Sequence, residues 1–451
     1  MPNKGARAKT NPTPSVANLK SNKATRALNE ALGLIRGPQR VLPLLSRVAR
    51  DGVKKKFAVQ HLYSYASTKI PTEDALRSVI HWIIRAQRLD GGIAAYYSLL
   101  TGYSDSYPEV TGYIVPTLYD FARATGDPAA ARVSEAATRW LLSLQMPSGA
   151  FPAGLHRSGA SAGDAQPSVF NTGQILQGLV SSHTQTRSAE ALQRATAAGD
   201  WLVSVQSADG SWLGAGAYQG QAHTYYTMVS WGLALLAAES GERRHAAAAE
   251  KNLEWALAQV RPSGWIDGIN LQGHPSYLHF IAYVIQGMLE CGILLGRNDA
   301  VTTAEKAAWI LLRKFETHKR LAGTYGSDFR AGQQFACLTG NAQMSCIWLR
   351  LCELTGDLRY LNAALKMNEL LKQLLPRTGR QEMIGGVAGS YPIWGAYQPL
   401  RMISWGTKFF ADALMLEQRL TMRLDAGRSD ELARMSKAHC DLNSEASQCA
   451  S

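Results

Sequence analysis

Apolar and polar positions along this chain form a pattern that returns. An Ala-rich stretch with apolar residues at i, i+3, i+4 and i+7 ends close to a Trp. A Gly-rich turn follows, and then a second stretch that is apolar on all sides. The Trp positions are Trp82, Trp140, Trp201, Trp255 and Trp309, spaced by 58, 61, 54 and 54 residues. The turns read Asp90-Gly91-Gly92, Pro147-Ser148-Gly149, Ala208-Asp209-Gly210 and Pro262-Ser263-Gly264. Stretches of the first kind predict outer helices over 75–86, 131–144, 191–205, 246–259 and 300–315. Stretches of the second kind predict buried helices over 112–124, 173–182, 227–238, 280–295, 342–354 and 403–416. A helix that is apolar all round needs partners on every side. Alternating pairs of this sort predict an all-α (α/α)6 toroid of six helical hairpins, an inner ring inside an outer ring. An open solenoid, with more uniform repeats and exposed caps, and a helical bundle are the alternatives. The aromatic segments before each buried helix argue for closure round a hollow.

Composition changes the picture mainly at the ends. The repeats occupy 71–422. The expectation outside them is a disordered basic leader over 1–23, a short helical prefix over 24–70 and a polar tail over 423–451. The net charge is +12, yet residues 1–56 hold 13 Lys and Arg against Glu30 and Asp51, so the body is close to neutral. Such an arm can meet a membrane surface or an anionic partner. The body has no basic surplus, so nucleic-acid binding is not expected. No uninterrupted apolar run spans a bilayer, and the first 23 residues have no apolar signal region. The chain therefore reads as cytoplasmic, with peripheral contact at the inner membrane face through its basic arm. Its six cysteines form no CxxC pair and read as core thiols. No Rossmann fingerprint or P-loop occurs, and neither cofactor nor metal is expected.

In a closed ring, the segments before the inner helices surround one mouth. Aligned on helix starts, they bring Tyr107 and Glu109, then Asn171, then His223, Tyr225 and Tyr226. His274, Tyr277 and His279 follow, then Asn341 and Gln343, then Tyr391, Tyr397 and Arg401. Rings that stack on apolar sugar faces, beside amides and imidazoles that pair with hydroxyls, suit a glycan substrate. Other readings of the same residues stand beside this one. Tyr107-Pro108 and Tyr391-Pro392 also fit helix-entry turns. Glu109 also fits a first-turn acid favoured by the helix dipole. His81 reads as a core or interface histidine, and Asp328 with Arg330 as a loop ion pair.

The segment from Trp201 to Trp212, with Gln206 and Gly210, resembles the aromatic-Leu-x3-Gln-x3-Gly-x-Trp repeat of terpene cyclases. Residues 140–151, with Gln145 and Gly149, form a second copy, and 255–265 a degenerate third. That resemblance implies a toroid shared with protein prenyltransferases, glycan lyases, unsaturated-glucuronide hydrolases, sugar epimerases and glucuronyl C5-epimerases. It does not imply a reaction. The Asp-x-Asp-Asp acid and the Asp-Asp-x-x-Asp motif of terpenoid chemistry are missing. Residues 106–113, 390–397 and 405–413 are similar to segments of bacterial polysaccharide-biosynthesis proteins related to C5-epimerases and uronate lyases.

That second resemblance implies proton abstraction next to the carboxylate of a uronate, by an epimerase or a lyase. Tyr391, Tyr226 and His223 are then the acid/base candidates, joined by Glu109. Arg401 and Asn171 are the candidate carboxylate holders. Tyr107, Tyr225, His274, Tyr277, His279, Asn341, Gln343 and Tyr397 complete the substrate site. A glycoside hydrolase drawing two carboxyls from Glu109, Asp267 and Asp328 is the rival enzyme. A noncatalytic toroid that binds a glycan or partner is the rival from another class.

Overall fold

The computed structural model describes residues 69–156, 166–214, 216–270 and 276–425. The predicted leader, nearly all of the prefix and of the tail, the basic arm and His274 lie outside these residues.

Twelve helices alternate between the two rings among the described residues. The outer set is α1 (Thr72–Arg85), α3 (Pro128–Leu144), α5 (Ala189–Ser204), α7 (Arg243–Leu257), α9 (Asn298–His318) and α11 (Leu358–Gln373). The inner set is α2 (Pro108–Thr125), α4 (Val169–Thr186), α6 (Thr227–Ser240), α8 (Leu278–Leu295), α10 (Leu338–Thr355) and α12 (404–425). The predicted toroid is the observed fold. α11 was not foreseen because no Trp marks its end. α8 is long and apolar enough to cross a membrane, but it packs in the inner ring and is largely buried there.

Inner helices touch through small residues. A Cβ on Gly178 of α4 would lie 2.3 Å from the carbonyl oxygen of Gly112 on α2, so only Gly permits that spacing. The outer turns are tied by the repeated Gln. Gln206 Nε2 donates to Gly210 O at 3.0 Å and to Ala248 O of the next outer helix at 2.9 Å. Gln145 does the same to Gly149 O and Arg194 O, at 2.9 and 2.8 Å. Gly210 has φ 90°, and a Cβ there would meet Lys251 O at 2.2 Å. In the degenerate copy Val260 takes the place of that Gln, and the Gln259 amide beside it donates back to Trp255 O at 3.2 Å. Trp82, Trp140 and Trp201 are buried. Trp255 and Trp309 are half-buried, and Trp309 carries the Arg359 guanidinium 4.5 Å from its ring centre.

The ring closes on itself. Strand β1 (Tyr96–Ser98) pairs antiparallel with β8 (Arg401–Ile403), Tyr96 opposite Ile403, and with the short β2 (Gly102–Tyr103). Thr72 Oγ1 donates to Glu417 Oε1 at 2.6 Å, Thr117 Oγ1 to Asp412 Oδ1 at 2.8 Å, and Trp82 Nε1 to Glu382 O at 2.8 Å. These bonds join the first hairpin to the last. The other strands also lace neighbouring loops. β3 (Ser276–Tyr277) pairs with β4 (Thr324–Gly326), which pairs with β5 (Arg330–Ala331). β6 (Ala336–Cys337) pairs with β7 (Ser390–Tyr391). All of them lie at the end where inner helices begin. His81 is exposed on α1, not core. Cys291, Cys337, Cys346 and Cys352 are free and buried, as core thiols should be.

Candidate active site

α2, α4, α8 and α10 each follow a residue in extended geometry, whereas α6 follows the 3-10 turn Thr224–Tyr226, and these entries fix what faces the hollow. Tyr107 precedes α2 with φ −121° and ψ 114°, and Pro108 opens the helix with a φ suited to its first turn. Both readings of this segment therefore hold: it is a helix entry, and it sets Glu109 in the first turn. The Tyr107 hydroxyl donates to Glu109 Oε2 at 2.5 Å. Both residues are half-buried. Burial pushes the Glu109 pKa up to about 7, against the pull of the Tyr107 hydrogen bond. Tyr107 is held well above its usual range by burial and then by Glu109.

Burial also raises the pKa of Tyr113, Tyr225, Tyr283 and Tyr397, and the Glu109 charge adds to the rise in all four. They come from α2, the entry to α6, α8 and the loop before α12. Side chains far apart in the chain thus share one pit. Its walls are continuous rings: Phe170 to Tyr225 at 5.2 Å, Tyr225 to Phe280 at 5.6 Å, and Tyr277 to Tyr397 at 5.2 Å. Its floor is Phe409, 5.9 Å from both Tyr113 and Tyr283.

His279 sits in the first turn of α8, 4.2 Å from Tyr283 and 5.6 Å from Tyr397, ring centre to ring centre. Its Nδ1 donates to Gln343 Oε1 at 2.6 Å, which leaves the lone pair on Nε2. Burial drives its pKa down to about 3 despite that bond, so the ring is neutral. Gln343 Nε2 and Asn341 Oδ1 are buried without partners, unusual for interior amides and consistent with a site that expects polar company.

Several candidates turn out to build the pit. Tyr226 accepts from the backbone N–H of Tyr218 at 2.7 Å, and burial lifts its pKa to about 12. His223 is buried and stacked on Tyr225, and its Nε2 donates to Tyr218 O at 3.1 Å. Burial lowers its pKa, so it is no resident cation. Both rings clamp one residue's backbone. Asn171 spends an amide N–H on Pro152 O at 2.8 Å. Arg401 lies over Tyr96, 4.1 Å from its ring centre, and donates to Gln398 Oε1 at 2.7 Å. Tyr391 is in β7 opposite Ala336, and its Pro392 bond is cis; it leads into a loop, not a helix. Tyr397 accepts from Trp405 Nε1 at 2.8 Å.

The other mouth carboxylates are not gathered round Glu109. Asp267 pairs with Arg261 at 2.7 Å on the surface. Asp328 accepts from Ser263 Oγ at 2.5 Å, in place of the expected pair with Arg330. Neither contributes to the raised pKa of Glu109. Tyr113, Tyr283 and Phe409 were missed from sequence. The first two stand four residues after Glu109 and His279, on the same helix face, which is the signal that could have found them.

A cavity of about 1290 Å³ lies elsewhere, at the opposite ends of the inner helices. Its charged groups are matched: Lys408 to Asp412 at 2.6 Å, and Arg350 to Glu290 at 2.8 Å and to Glu353 at 2.6 Å. Groups already paired are poor candidates for chemistry, so the aromatic pit is the candidate active site.

No family model matches the chain, and a search of curated proteins found no match. Solved structures do match in fold. A sugar epimerase from a ruminal bacterium superposes with TM-score 0.63 at 13% identity, covering 76% of this chain and 97% of that one. An unsaturated glucuronyl hydrolase specific for heparin gives 0.62 at 13%, covering 78% and 98%. Cellobiose 2-epimerase from Bacillus thermoamylovorans gives 0.62 at 11%, covering 76% and 98%. These members of the (α/α)6 toroid superfamily share this chain's architecture.

Proposed function

We propose that this toroid is a carbohydrate-active enzyme that moves a proton at a carbon next to a carbonyl, as an epimerase or a lyase does. The observation that carries this reading is half-buried Glu109, whose carboxyl group has a pKa of about 7. A base of that strength suits proton abstraction near neutral pH. Tyr107 orients it. Tyr225, Tyr283 and Tyr397 keep their protons and supply hydroxyl donors where charge grows on an enediolate oxygen. Neutral His279 offers an acceptor to a sugar hydroxyl. The folds that match include sugar epimerases and a glucuronyl hydrolase, which supports a sugar ligand. A uronate of the kind made or modified in exopolysaccharide assembly remains one form of this proposal. The two-carboxylate hydrolase is not favoured, since Asp267 and Asp328 are engaged elsewhere.

The test is incubation in deuterium oxide with cello-oligosaccharides, heparosan and alginate. Deuterium at C2 of a reducing end supports the aldose reaction. Deuterium at C5 of a uronate, or absorbance at about 232 nm from an unsaturated product, supports the uronate forms. Glycans that bind yet gain no deuterium in any arm would overturn the proposal.

A further inference from the structure

The mouth carries two exposed aromatic residues that the pit does not use. Trp394 is 64% exposed and Tyr218 is 50% exposed, whereas most rings at this end are buried. Neither is loosely held. Tyr218 stands in a short 3-10 turn, Tyr218–Gly220, and its backbone is gripped on both sides. Its N–H goes to Tyr226 and its carbonyl takes the His223 proton. The two buried side chains thus fix an exposed ring. Tyr218 also lies close enough to Tyr107 to add to the rise of that residue's pKa, which places it at the lip. Trp394 sits in the loop between β7 and β8. Beside it Ile393 is fully buried, Leu400 N–H donates to Ile393 O at 2.9 Å, and Gly395 N–H donates to Pro392 O at 2.8 Å. Three residues on, Tyr397 lines the pit.

The ring order relates the two. Tyr218 precedes the third inner helix and Trp394 the sixth, so in a closed ring of six they stand on opposite sides of the mouth. Flat, preorganised rings lose little entropy on binding and stack on apolar faces. A monosaccharide in the pit would reach neither platform from both sides. Given the uronate form of the sugar reading above, on which this rests, we infer that the site takes an internal stretch of a glycan chain. The reacting sugar sits over Glu109, and its neighbours on either side stack on Tyr218 and Trp394.

The test is calorimetric binding of two-residue and six-residue oligosaccharides from cellulose, heparosan and alginate to the full chain. Glu109→Gln serves as background, so that turnover does not interfere. The hexasaccharide is expected to bind more tightly than the disaccharide. Trp394→Ala and Tyr218→Ala are each expected to cut the ratio of the two affinities about tenfold, the scale of one lost stacking contact. The double variant is expected to cut it about a hundredfold. Far-ultraviolet circular dichroism checks the fold. Equal affinities for both lengths in the parent, or variants that weaken both lengths equally, would overturn the inference while leaving the chemistry at Glu109 standing. If length dependence is found but Glu109→Gln still exchanges deuterium, the platforms stand and the catalytic reading falls.

Discussion

The inner ring has two ends built from the same six helices, and they treat charge in opposite ways. Where the helices begin, Glu109 has a hydroxyl for company and no cation, and burial lifts its pKa to about 7. Where the helices end, round a cavity of about 1290 Å³, Lys408, Asp412, Arg350 and Glu290 neutralise one another. The presence of a cavity therefore does not locate chemistry. A paired charge is spent on holding helices together, while an unpaired, desolvated one is available to exchange a proton. Both ends lie on the toroid axis, separated by the Tyr113–Phe409 stack with Lys408 Nζ 4.3 Å from the Phe409 ring centre.

Glu109→Gln should have the largest effect and the one most able to break this contrast. Turnover is expected to fall about a thousandfold, the range of a lost general base. The parent's turnover should rise with pH through about 7 as Glu109 ionises. Stability should move the other way. The ordinary value is 4.5 and the folded value about 7, so the fold binds this proton more tightly than the unfolded chain does. That contribution is complete below about pH 4.5 and is lost as pH rises through about 7. Glu109→Gln escapes the loss, and at pH 8 it should be more stable than the parent by on the order of 1–3 kcal/mol. Equal urea midpoints at pH 8 would mean that the carboxyl is not desolvated.

The opposite end makes the opposite prediction. Asp412→Ala leaves Lys408, whose side chain is 6% exposed, without its partner, and removes the acceptor of Thr117. A loss of about 3 kcal/mol is expected, read as a drop in urea midpoint, with turnover per folded molecule within about twofold of the parent. Replacing both partners with apolar residues, Lys408→Met with Asp412→Leu, should recover most of that loss. A thousandfold loss of turnover in folded Asp412→Ala would erase the distinction between the two ends.

How much of this was legible in the sequence depends on what each feature needs. The toroid was legible because the Trp–turn–helix phrase is local and recurs. α11 was not, because Tyr360, Leu361, Ala364, Met367 and Leu371 give it an apolar stripe but no Trp closes it. Glu109 and Tyr107 could be placed since they open a helix. The clamp of His223 and Tyr226 on Tyr218 could not, because it depends on how residues 218–226 turn back on themselves. Residue type alone made those two look like acid and base. Asn171 and Arg401 looked like carboxylate holders for the same reason. Only coordinates show that the first bonds a carbonyl and the second lies on Tyr96.

The mouth owes its rigidity to the repeat phrase, and the smallest predicted effect tests that debt. Gln206 spans two carbonyls, one in its own turn and one in the next hairpin, whereas in the degenerate copy Val260 stands in register with Gln206, and the neighbouring Gln259 reaches back to Trp255 O. Gln206→Ala strands both acceptors in a half-buried place and should cost about 1–2 kcal/mol. Gln259→Ala should cost no more than about 0.5 kcal/mol, as an ordinary surface change does. The two variants remove the same side chain from adjacent positions of the repeat, so composition cannot explain a difference in their urea midpoints. If they are equally stable, the Gln bond between hairpins is not what orders the mouth. The alignment of the pit would then rest on the strand pairs β1–β8, β3–β4 and β6–β7.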